Sequence, residues 1–68
     1  MLQKNQRVRF VRKPENPAFA PHYTLALEYI DRSKVYTVEH FFAGQPSQIE
    51  LQGIDAMLFM SEMFDIVE

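Results

Sequence analysis

Cysteine and tryptophan are both absent from this chain of 68 residues, and glycine occurs only at Gly44 and Gly53. Without cysteine there is no disulfide framework, thiolate zinc site, iron–sulfur cluster or thiol nucleophile. Two glycines in separate segments supply no glycine-rich loop to cradle a phosphate. The missing indole removes the donor prominent in grooves that hold proline-rich peptides. Long hydrophobic runs are lacking as well. The richest stretches, around Tyr23 to Ile30 and Ile54 to Phe64, fall short of the ~20 residues that span a bilayer. Arg9 interrupts the first apolar run, Val8 to Val11, so neither a signal peptide nor a membrane segment is expected.

The second half of the chain has no base. All seven basic residues (Lys4, Arg7, Arg9, Arg12, Lys13, Arg32 and Lys34) precede Val35, accompanied there by three acids, Glu15, Glu28 and Asp31. The remaining six acids, Glu39, Glu50, Asp55, Glu62, Asp65 and Glu68, follow without a counter-charge, although the formal net charge is only −2. Such asymmetry has two readings. Either a charged partner is engaged, or the two halves lie side by side and neutralise each other.

What is present suits one small domain over residues 1–68. Apolar residues make up 47% of the chain, and its six Phe and three Tyr are too many for a disordered tail. A chain this short hides only about 60% of its unfolded surface, so its core must be small. Arg7 to Arg12 alternates charged and apolar side chains, which predicts a strand with Val8 and Phe10 inward. Lys13 to Pro21 holds three prolines and is expected to be an irregular loop. Tyr23 to Ile30 alternates as Tyr23, Leu25, Leu27 and Tyr29 and is read as a strand, although its Leu, Ala and Glu also suit a helix. Val35 to Phe42 and Gln48 to Gln52 read as a hairpin. Leu58-Phe59 is a short strand, followed by barely one helical turn, and Phe64 to Val67 is a closing strand. On this pattern Val8, Phe10, Tyr36, Val38, Ile49, Leu51, Phe59, Phe64 and Ile66 face inward. Met57, Met60 and Met63 recur every three residues, either as a plug at one end of the fold or as an adaptable contact surface.

The runs Val8-Arg9-Phe10-Val11, Lys34-Val35-Tyr36-Thr37-Val38, Ile49-Glu50-Leu51-Gln52-Gly53, Phe59 and Phe64-Asp65-Ile66-Val67 resemble the small SH3-like β-barrel proteins of phage and mobile-element genomes. The resemblance spans nearly the whole chain. It implies an all-β fold, or a β-rich α+β fold should Tyr23 to Ile30 be helical: an antiparallel barrel of about five strands with one helical turn before the last. Ser33 stands where the family usually has glycine. The family is functionally diverse, so the resemblance implies a fold and a mobile-element origin rather than an activity.

Catalytic chemistry finds little support in the residues. Ser33, Ser47 and Ser61 lack a nucleophile-elbow context, and neither His22 nor His40 adjoins a serine. The two histidines with Glu39 or Asp31 form no short ligand motif, so no metal and no cofactor are expected. No small-molecule substrate is evident. The expected function is a non-enzymatic protein–protein interaction module in the cytoplasm. It would be a phage or prophage accessory protein that modulates a host or phage protein, for instance as an inhibitor, with self-association as a further option. Its interface is assigned to Phe19 in the proline loop and to Phe41 and Phe42, with Arg9 and Arg12 at the rim. Phe41 and Phe42 point to opposite faces in a regular strand, so one of them should lie outside the core. Phe19 either docks a partner or folds back onto the barrel. The alternative is a nucleic-acid binder using Lys4, Arg7, Arg9, Arg12 and Lys13, against which stands the pI of about 5.6.

Overall fold

Local patterning becomes sheet where expected and helix where it is not. The structure, a computed structural model, describes residues 2–67. Its elements are β1 (Arg7–Phe10), α1 (Ala20–Tyr29), β2 (Tyr36–Phe42), β3 (Gln48–Leu51), β4 (Ile54–Met60) and β5 (Phe64–Ile66). Short 3₁₀ turns occupy Pro17–Phe19 and Ser61–Met63. The five strands form one antiparallel sheet in the order β4-β3-β2-β1-β5, so this is a small β-rich domain with one short helix among the described residues. That helix is not long and apolar enough to cross a membrane.

β2 serves two ladders. Its first residues, Tyr36 and Thr37, pair with Val8 and Arg7 of β1, while Val38 to Phe42 pair with β3. The register slips between Val38 and His40, so Glu39 is an extra residue and the sheet bends there. The slip places both Val38 and Phe41 against the core and leaves His40 and Phe42 outside, where their rings meet at 5.9 Å. The β3–β4 turn is Gln52-Gly53, with Gly53 at φ 90°. β4 runs seven residues where the sequence suggested only Leu58-Phe59. Its start is disguised because Ala56 takes φ 63° and the register with β3 shifts, which destroys the alternation a strand usually shows.

Tyr23 to Ile30 is helical, contrary to the strand reading. Pro21 falls in the first turn, where an amide hydrogen would have no partner, so the last proline of the loop starts the helix instead of prolonging the loop. Leu25, Ala26, Leu27 and Glu28 are all strong helix formers and outweigh the alternation of apolar residues. Ala26 and Ile30 are buried and Tyr23 is half-buried, a helical spacing of three and four, whereas Leu25, Leu27 and Tyr29 stay exposed. The Ile30 amide still bonds the Ala26 carbonyl at 2.9 Å, and extended backbone at Ile30 ends the helix.

Val8, Phe10, Val38, Ile49, Leu51, Phe59 and Phe64 are buried as expected; Met60 and Met63 join them, which favours the plug reading of the methionines. Two expected core residues depart. Tyr36 is half-buried because its hydroxyl accepts the Asp31 amide at 2.8 Å near the surface. Ile66 is 46% exposed, because β5 is an edge strand with no neighbour on its far side. Leu2 is buried without any periodic signal: Asn5, at φ 74°, completes a turn from Gln3 to Gln6 that folds Leu2 back onto the core.

Candidate functional site

Two strand ends and two loops leave a trough across one end of the domain. The β2–β3 loop, Ala43 to Ser47, is joined to the Ser61–Met63 turn by a hydroxyl contact between Ser47 and Ser61, and the Ser61 amide donates to the Ser47 carbonyl at 3.1 Å. The β3–β4 register places these serines opposite each other, one step beyond the Gln48–Met60 pair. On one side of the serine pair lies a concavity of about 740 Å³, walled by Leu2, Phe41, Phe64, Asp65 and Ile66. On the other lies a second of about 470 Å³, walled by Phe19, Gln45, Pro46 and Glu62. Gly44, Ser47 and Ser61 belong to both, so the two halves adjoin. The trough is open to solvent, with apolar walls and hydroxyls at its middle.

The residues assigned to an interface are divided by the fold. Phe19 and Phe41 line the trough and also pack against the core, so Phe19 does fold back while keeping part of its ring accessible. An edge-on contact with the His22 ring, 5.8 Å between centroids, holds Phe19 from the helix side. Phe42 is 44% exposed on the opposite face and takes no part in the trough. Arg12 lies beside it: one guanidinium nitrogen donates to the Glu62 carbonyl at 2.6 Å and another pairs with Asp65. Arg12 thereby holds the 3₁₀ turn and β5 together. Arg9 is exposed on β1, across from Asp65 in register.

The cationic set is partly neutralised within the molecule. Lys4 pairs with Glu39 at 3.5 Å and Arg12 with Asp65, and each of these bridges joins a base of the first half to an acid of the second. Arg7 and Lys13 are exposed. Arg32 lies over the Phe10 ring, 5.7 Å from its centroid, covering the core from above. His22 and His40 sit on different elements, each against a phenylalanine ring, and among the described residues no three potential metal ligands converge. Among the described residues, Asp31 is the carboxyl moved from its ordinary value. The Ser33 hydroxyl, at 2.6 Å, holds it below its ordinary value, helped by the Ser33 amide at 2.9 Å and the charge of Lys34.

Leu2, Pro46, Ser47, Ser61 and Glu62 carry the trough yet were not singled out from sequence as a site. The serines are 14 residues apart, and only the hairpin register brings them together. Comparison with known proteins finds no matching family, no matching curated protein and no matching solved structure.

Proposed function

We propose that the chain is a non-enzymatic protein-interaction module of the SH3-like barrel type, a phage or prophage accessory protein acting in the cytoplasm on a host or phage protein, and that it binds its partner through the trough. The observation that carries the reading is the adjoining pair of open concavities between Phe19 and Phe41, with the serine pair between them. Interfaces favour such surfaces, in which aromatic rings already held by packing stay partly accessible and lose little freedom on docking. Support for the barrel type comes from the strand order, from β2 serving two ladders, and from the single 3₁₀ turn between β4 and β5. The mobile-element origin rests on the residue pattern alone.

The test is selection of a displayed random-peptide library on the full chain, with Ser61→Trp as counter-target because an indole there fills the middle of the trough. Peptides that bind the chain and lose affinity for the filled variant are the expected result. The opposing outcome is an empty selection together with binding of random-sequence DNA or RNA. That binding would weaken steeply between low and physiological salt and fall in Arg7→Ala and Arg9→Ala, assigning the function to the basic strand instead.

A further inference from the structure

The wall of the trough formed by β5 is an unpaired strand edge. The Val67 amide donates to the Arg7 carbonyl and the Val11 amide to the Met63 carbonyl, both at 2.8 Å. Asp65 lies opposite Arg9, midway between these two pairs, so residues 63, 65 and 67 turn their backbone groups toward β1. By the same alternation Phe64 and Ile66 turn theirs the other way. The Phe64 amide is taken by the Ser61 carbonyl, whereas no backbone bond among the described residues meets the Ile66 amide or its carbonyl. β4, the other edge, is a poor template because Ala56 is left-handed and the register shifts along it. β5 has no lysine, proline or bulge to blunt it; its protections are its shortness and the Asp65 carboxylate, which Arg12 pairs.

Charge selects what that edge accepts. Among the described residues, the walls carry one carboxylate in each concavity, Asp65 in the first and Glu62 in the second, and no lysine or arginine. Asp65 is paired with Arg12, but the Glu62 carboxylate has no ion-pair partner among the described residues. We propose that the trough receives an extended segment of a partner protein as a sixth strand along β5, a segment alternating apolar and basic side chains. The apolar side chains would fill the space between Leu2, Phe41 and Ile66, and a base would reach Glu62. Backbone pairing supplies affinity, and the alternate side chains supply selectivity. The inference rests on the trough being the binding surface.

The probe is the acetylated, amidated hexapeptide of alternating lysine and valine, titrated into the full chain by calorimetry and followed by amide NMR. Expected are saturable binding, exchange protection at the Ile66 amide, and no binding of the glutamate–valine counterpart. N-methylation of one alternate set of peptide residues, either the lysines or the valines, weakens binding about tenfold while methylation of the other set does not, since only one set turns its amides to β5. Glu62→Lys weakens binding of the unmodified peptide, as does Ile66→Pro, which removes an amide hydrogen that the β1 ladder does not use. The methylated peptides leave the protein unaltered and keep the test valid even if Ile66→Pro fails to fold. Equal affinity of both methylated forms, or NMR shifts confined to α1 or β4, overturns strand addition. Library peptides that need the trough but bind Ile66→Pro as well as the parent overturn it too, leaving the trough itself standing. An empty selection removes both.

Discussion

Ala56 and Gly53 share a left-handed backbone in the same hairpin but differ in whether the residue suits it. A β-carbon in that region costs about 1–2 kcal/mol, so Ala56→Gly relieves strain. Against this stands the greater freedom of glycine in the unfolded chain, worth ~0.4–1 kcal/mol. The net expectation is a gain of about 0.5 kcal/mol in urea denaturation. Gly53→Ala should do the reverse and lose about 1 kcal/mol, although no atom lies within 4 Å of the added carbon; the cost is conformational, not steric. Asp31 gives a pH prediction. Its folded pKa lies below the ordinary 3.8, so its contribution is present above that value and disappears as pH falls through the lower, folded one. A carboxyl-carbon NMR titration should place the Asp31 midpoint below 3.8, and Ser33→Ala should move it back up, since the Ser33 hydroxyl is the largest cause. Gly53 directly follows the alternating run Gln48 to Gln52, and glycine is the residue that suits a turn there. The left-handed state of Ala56 was not legible in the sequence, because alanine carries no marker for it.

At the scale of the element, α1 shows how a periodic pattern can mislead. Alternation of Tyr23, Leu25, Leu27 and Tyr29 suits a strand, but the same window contains Tyr23, Ala26 and Ile30 at helical spacing, and these are the residues that meet the core. Two substitutions separate the readings. Ala26 is fully buried, so Ala26→Leu should overpack the contact and cost about 1–3 kcal/mol, while Leu27→Gln on the exposed side should stay within about 0.5 kcal/mol. A strand would reverse the emphasis, making Leu27 the sensitive position; thermal unfolding of both variants decides. β1 and the β2–β3 hairpin were readable because each has one buried face and one wet face, the condition under which alternation survives in sequence. β4 lost that signature when its bulge put successive residues out of phase.

For the whole molecule, position in the tertiary fold sets which aromatic matters to stability and which to contact. Phe64 is buried between Phe10 and Phe59, with ring centroids at 5.5 and 6.3 Å, so Phe64→Ala should cost about 3–5 kcal/mol, enough to unfold a domain this small. Phe19→Ala should cost less, about 1–2 kcal/mol, because its ring is only partly buried and lines the trough, and Phe42→Ala should change stability by under about 1 kcal/mol. Equal large losses at Phe19 and Phe42 in chemical denaturation would place both in the core and remove Phe19 from any interface. The charge asymmetry is partly offset at this scale as well: Lys4–Glu39 and Arg12–Asp65 lie across the two halves, which the antiparallel order of β1, β2 and β5 brings together. Residue order by itself determined the strand-rich class, the inward faces of β1 and β3, and the helical turn ahead of β5, because each follows from periodicity and turn chemistry over a few neighbours. Tertiary structure alone decided the burial of Leu2, the face that β2 turns inward beyond Val38, and the trough, whereas the helix at Ala20–Tyr29 follows from Pro21 and local propensity that the alternation of apolar residues concealed. The β2 face depends on the register slip at Glu39, and the trough is built from residues as far apart as Leu2, Phe19, Ser47 and Ile66, whose meeting is a property of strand register and not of any local run.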